Sequence, residues 1–118
     1  MQAVTLKLTV GEETLVCNRY KQDRTVSGKC HPGGKVDDNE TPEQAIIREV
    51  QEEIGIDISN QSLSTFDTFT TSTRKGDIDV IVYELVLQTK PEITLNTDEL
   101  ESFEWMPYEE WYTWYYEL

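Results

Sequence analysis

Residues 3–10, AVTLKLTV, alternate apolar and polar side chains with period two, and TLVCNRY at 14–20 continues the alternation after the turn GEE. That pattern predicts an antiparallel hairpin. KQDRTVSGK, residues 21–29, has no periodicity and predicts a polar loop. TPEQAIIREVQEEIGI, residues 41–56, changes to the helical period, with Ile46, Ile47, Val50 and Ile54 on one face. Thr41 is placed as N-cap with Gln44 three residues on; Pro42 suits the first helical position, and Gly55 supplies the C-terminal stop. LSTFDTFTTST and DIDVIVYELVLQT predict two long strands joined at RKGD, FEWMP a short strand, and YEEWYTWYYEL a short terminal helix. With no repeat, linker or low-complexity tract, residues 1–118 are expected to form one domain.

Composition narrows the function classes. No apolar run approaches the ~18 residues of a membrane span. The opening MQAVTLKLTV alternates like a strand and lacks the basic start of a targeting segment, so the cytoplasm is the expected location. Ten Lys and Arg stand against 23 Asp and Glu, a net charge of −13. Such a surface repels an extended nucleic acid and attracts cations. Cys17 and Cys30 have neither CxxC spacing nor the density of a disulfide scaffold, and are expected to be free thiols that pack as small hydrophobes.

Candidate chemistry lies on the first helix. Glu49, Glu52 and Glu53 stand at i, i+3 and i+4, so their like charges are neighbours and oppose one another. A solvated acidic face is one reading of them. A site for a hard divalent ion is the other, with Mg2+ the ion that accepts a few carboxylates together with water and phosphate oxygens. Glu40 lies in the glycine-containing stretch before the helix, where pairing with Arg48 would tie loop to helix.

From Gly34 to Ile56 the chain reads G-KVDDN-E-TPEQAII-RE-V-Q-EE-I-G-I. This resembles, at every fixed position, the box of the Nudix hydrolase family, and the order of strands around it is similar to the α/β Nudix fold, a mixed β-sheet sandwiched between α-helices. The resemblance implies Mg2+, with Mn2+ as a substitute, held by Glu49, Glu52 and Glu53 and by a backbone carbonyl of the glycine pair, here that of Gly33. Gly34, Glu40, Arg48 and Gly55 would be structural members of the motif. The implied reaction is hydrolysis of a nucleoside diphosphate linked to a further group, a small-molecule substrate. For the general base two alternatives stand: a helix glutamate such as Glu52, or the loop residue Glu99, with Asp98 and Glu101 as its rivals.

Substrate marks of other family branches are missing: TTSTRK occupies the position where ADP-ribose hydrolases carry a proline and dinucleoside polyphosphate hydrolases a tyrosine. The chain is thus most similar to the small MutT-type members that hydrolyse nucleoside triphosphates, including oxidised ones. Dinucleotides and capped RNA stay open as substrates, and so does a catalytically silent Nudix-fold domain that binds a nucleotide or nucleotide sugar. Arg19 is a candidate phosphate or base contact, His31 a candidate for stacking on a base, and Lys35 a candidate phosphate contact; each has the plain alternative of a surface or packed side chain. In the tail, Trp111, Trp114 and Tyr115 have helical spacing for packing on the sheet. Six aromatics between Tyr108 and Tyr116 exceed one buried stripe, which implies either a homodimer contact or a stacking surface.

Overall fold

The computed structural model describes residues 1–20 and 28–117. Most of the expected loop at 21–29 therefore lies outside the described residues. Strands β1 (Gln2–Val10) and β2 (Glu13–Arg19) form the expected hairpin, closed by the pairs Thr9↔Thr14 and Val10↔Glu13. Two short strands that periodicity missed follow, β3 (Lys29–Cys30) and β4 (Gly33–Lys35), then helix α1 (Pro42–Ile54). Strands β5 (Ser64–Thr73), β6 (Gly76–Leu87) and β7 (Leu100–Pro107) lead to helix α2 (Tyr108–Tyr116).

The sheet order is β3-β2-β1-β6-β5, with β4 added to β1 and β7 to β2. β1 runs parallel to β6 from Gln2↔Asp79 to Val10↔Leu87, and all other pairings are antiparallel. On its other edge β1 meets β2 at the hairpin and β4 at its opposite end, through Ala3↔Lys35, Val4↔Gly34 and Thr5↔Gly33. β2 takes β3 at Cys17↔Cys30 and lies along β7. The stretch 29–35 thus crosses from β2 to β1, held midway by the Leu6 amide donating to the Pro32 carbonyl at 2.9 Å. This crossing carries the glycine pair to the first helix.

Alternation along the strands divides the core in two. Val4, Leu6, Leu8, Leu15 and Cys17 pack with Ala45, Ile46, Val50 and Ile54 of α1. Val16 and Met106 face the other way, against Trp111 of α2, with Phe66, Trp114 and Tyr115 around them. The two helices therefore cover opposite faces. Ile46, Val50 and Ile54 are fully buried, each contributing on the order of 2 kcal/mol. The capping box forms as spelled: Thr41 Oγ1 accepts the Gln44 amide at 3.1 Å, Gln44 Oε1 accepts the Thr41 amide at 2.9 Å, and Gly55 ends the helix at φ 72°. Among the described residues no helix is long and apolar enough to cross a membrane.

The second face holds charge as well as rings. Lys7, 7% exposed, donates to Glu84 at 2.8 Å and lies 4.7 Å from the centre of the Trp111 ring. His31 is buried beside it, and its Nε2 accepts the Trp111 indole N–H at 3.0 Å. Burial, then the Lys7 charge, push the imidazole down from 6.5 to about 3. The unfolded chain binds the extra proton between those values, so stability falls as pH drops through that window. His31→Gln keeps an acceptor for Trp111 and cannot titrate. Its melting temperature is expected to decline less than that of the unsubstituted chain between about pH 6.5 and about pH 5, where the imidazole contributes a slope of about 1.4 kcal/mol per pH unit. Equal slopes in a pair of thermal melts would contradict this.

Candidate active site

The fold brings one end of α1 to the glycine pair and to the loop before β7. A helix leaves its last carbonyls without intrahelical partners. Here the Thr94 amide donates to the Ile54 carbonyl at 3.0 Å and the Asn96 amide to the Glu53 carbonyl at 2.9 Å. Those two bonds dock the segment that carries Asp98 and Glu99. The result is a cleft of about 290 Å³ lined by Arg19, Gly33, Gly34, Glu49, Glu53, Asp98 and Glu99.

Glu53 is the most enclosed of these carboxylates, only 3% exposed, and accepts the Gly33 amide at 2.7 Å. Burial pushes its carboxyl up from 4.5 to about 7, against the lowering effects of the Gly33 bond and of Arg19; the charges of Glu49 and Glu99 add to the rise. Glu49 is raised as well, by burial first and by Glu52 and Glu99, while Arg48 opposes the shift. The set is one of partly buried carboxylates whose charges lack full compensation.

Close approach of the β1 backbone requires a glycine at 33, and the Glu49 carboxyl lies close against Gly34. A Cβ on Gly33 would run into the Val4 carbonyl of β1, and one on Gly34 would sit 2.5 Å from the Glu49 carboxyl carbon. Gly34→Ala is therefore expected to displace the Glu49 side chain, with activity falling at least about tenfold and the fold retained. Parallel kinetics and melting curves check it; full activity would show that Glu49 needs no fixed position.

Arg48 organises the rim. Its guanidinium donates to Glu40 at 2.6 and 3.1 Å, to Glu49 at 2.9 Å and to the Lys35 carbonyl at 3.1 Å, with Glu52 at 3.3 Å and Asp37 at 3.4 Å. The Arg48 bond holds the Glu40 carboxyl below its usual range. Loop and helix are tied together by this fork, with Glu40 and Arg48 outside the cleft itself.

The structure thus gathers Arg19, Gly33, Gly34, Glu49, Glu53 and Glu99 with Asp98, one of the two rivals of Glu99, in the same lining. Glu52 stays outside the lining, with half of its side chain exposed. Lys35 is exposed and contributes its backbone carbonyl to Arg48. The base-stacking expectation for His31 is corrected: its ring lies against Trp111, Trp114 and Tyr115, on the face opposite α1. Cys30 packs on the α1 side and Gly33 opens on the cleft, while His31 between them turns its ring to the α2 face. Cys17 and Cys30 face each other as free thiols, each pushed up chiefly by burial.

Beyond this geometry, a family model described as NUDIX domain matches residues 2–116. The chain belongs to the Nudix family. Among curated relatives, an 8-oxo-dGTP diphosphatase of Proteus vulgaris is 69% identical over 32 residues, 27% of this chain and 29% of that protein. The low-salt glycan biosynthesis protein Agl8 of Haloferax volcanii is 33% identical over 100 residues, 83% of this chain and 62% of its own length. The matched segments thus span less than two thirds of either relative. A solved MutT Nudix hydrolase from Burkholderia pseudomallei superposes with a TM-score of 0.77 at 21% identity, covering 92% of this chain and 84% of that one. That likeness establishes the Nudix fold, a mixed sheet with a helix on each face.

The donor set suits a hard divalent ion: carboxylate oxygens from Glu49, Glu53, Asp98 and Glu99 line one cleft. Among the described residues no group of three or more His, Cys, Asp or Glu side chains forms a ready-made metal cage. Donors spread around an open cleft leave room for waters and substrate oxygens around such an ion.

Proposed function

We propose that this Nudix chain is a divalent-metal-dependent pyrophosphohydrolase acting on nucleoside triphosphates, canonical or modified, with monophosphate and pyrophosphate as products. The observation that carries the reading is the cleft itself, in which four carboxyl groups and one guanidinium meet at the end of α1. Similarity to an 8-oxo-dGTP diphosphatase supports the substrate class.

Bound Mg2+, or Mn2+ in its place, supplies neutralisation of phosphate oxygens and a lowered pKa for the attacking water. Glu49 and Glu53 would hold the ion, with the Gly33 carbonyl and Glu52 as further donors. Arg19 orients the phosphate chain, and Lys35 attracts it from outside. Glu99 takes the proton of the attacking water; Glu52 is the helix-borne alternative for that task. Without the ion, the carboxylates repel the polyanionic substrate.

The test is phosphate release in the presence of added pyrophosphatase, screened over canonical and oxidised dNTPs, NTPs, nucleotide sugars and dinucleotides, with and without Mg2+. Turnover of a triphosphate only with metal is expected. No turnover, together with a nucleotide that raises the melting temperature, would replace the enzyme with a binding domain.

The tail adds a proposal about assembly. Trp111, Trp114 and Tyr115 pack on the sheet, leaving Tyr108, Tyr112 and Tyr116 exposed at 54%, 43% and 51%. A second copy covers this tyrosine face in a homodimer. A monomeric mass by light scattering at working concentration would contradict it.

A further inference from the structure

Tyr20 follows β2 directly, one residue beyond the cleft residue Arg19. Its phenol O–H donates to the Thr97 carbonyl at 2.6 Å, spanning 77 positions of sequence. Thr97 lies in the short turn that presents Asp98 and Glu99.

That turn is built on Asn96. The Asn96 carbonyl accepts the Glu99 amide at 3.1 Å and the Leu100 amide at 3.0 Å, while Asn96 Oδ1 accepts the Asp98 amide at 3.1 Å. One end is fixed to α1 through the Asn96 amide on the Glu53 carbonyl, at 2.9 Å. The other end enters β7, where Leu100 pairs with Arg19 across a register shift. Asp98 and Glu99 themselves are exposed between these anchors. Their backbone is therefore fixed before and after them, and the peptide that leads into them is held by Tyr20.

We propose that Tyr20 is a positioning residue for Glu99: its hydrogen bond to the Thr97 carbonyl sets where the loop carboxylate stands over the cleft. This rests on the reading of Glu99 as the residue that takes the proton of the attacking water. Tyr20 itself touches no substrate. Its contribution is orientation, which acts on the catalytic step more than on binding, because a general base must lie within hydrogen-bond reach of the proton it removes.

The test is a double-mutant cycle on the full chain, with dGTP and saturating Mg2+. Tyr20→Phe keeps the ring and removes the hydroxyl, and is expected to lower kcat about fivefold with KM nearly unchanged. In a Glu99→Gln background the same change is expected to have almost no further effect, since the group it positions is gone. A melting temperature measured for each variant separates loss of fold from loss of orientation. If Glu99→Gln impairs turnover while Tyr20→Phe matches the unsubstituted chain, the positioning role is overturned and the Glu99 reading stands. Equal losses from Tyr20→Phe in both backgrounds also overturn it, because the residue would then act independently of Glu99. Full activity of Glu99→Gln overturns the Glu99 reading and this inference with it.

Discussion

Glu53→Gln is expected to lower turnover roughly a hundredfold or more and, in the absence of divalent ions, to raise the melting temperature. Both effects come from one buried carboxyl. In the folded chain burial pushes it up to about 7 from 4.5, so below the lower value both states are protonated and nothing is lost. As pH rises between those values, the unfolded chain releases the proton while the folded chain retains it, and stability declines. Above about pH 7 the penalty is complete, on the order of 3 kcal/mol. Gln stays neutral and keeps an oxygen for the Gly33 amide, which donates to Glu53 at 2.7 Å. Melts in a chelator at about pH 8 should therefore favour the variant, and melts below about pH 4.5 should show little difference. Added Mg2+ should reverse the order, because an ion that binds the folded state stabilises whichever chain binds it. A variant that melts lower than the parent in chelator at high pH would contradict the assignment of a destabilising buried charge.

Arg48→Ala has the second large expected effect. The guanidinium contacts five partners: Asp37, Glu40, Glu49, Glu52 and the Lys35 carbonyl. Its side chain is 29% exposed, so solvent screens each pair and no single one is worth much. Lost together, they are expected to cost on the order of 2 kcal/mol, or about 8 °C in melting temperature. Turnover should also fall by more than about tenfold, because Glu49 loses its orienting partner and Glu40 no longer ties the glycine loop to α1. Arg48→Lys should recover little, since an ammonium cannot make the two-pronged contact with Glu40. A lysine variant with parental stability and rate would reduce the fork to a simple charge.

What was legible in the sequence were features written in local patterns. The capping box at Thr41 and Gln44, the Gly55 stop and the apolar stripe of α1 depend on neighbours within one or two turns, and they form as spelled. The Glu40 to Arg48 tie was readable because both lie within one short motif. The crossing of residues 29–35 from β2 to β1 was not, because strands of two and three residues carry no period. The choice between a stacking and a packed His31 stayed open for the same reason: its face depends on that crossing, and the Trp111 partner reveals the packed one. The parallel pairing of β1 with β6 joins segments more than 70 positions apart, a relation that alternation within either strand does not encode. Glu99 was a candidate only through the family resemblance, beside Asp98 and Glu101, and its approach to Glu53 depends on the Asn96 and Thr94 amides reaching the last carbonyls of α1.

The central claim is that the carboxylates of this cleft hold a divalent ion that a nucleoside triphosphate shares. Mn2+ binding followed by electron paramagnetic resonance, with a non-hydrolysable triphosphate present, tests it most directly. Mn2+ should bind the parent chain, bind more tightly with the nucleotide, compete with Mg2+, and bind much more weakly to Glu49→Gln and Glu53→Gln. Unchanged Mn2+ affinity in both variants would place the ion elsewhere and contradict the account.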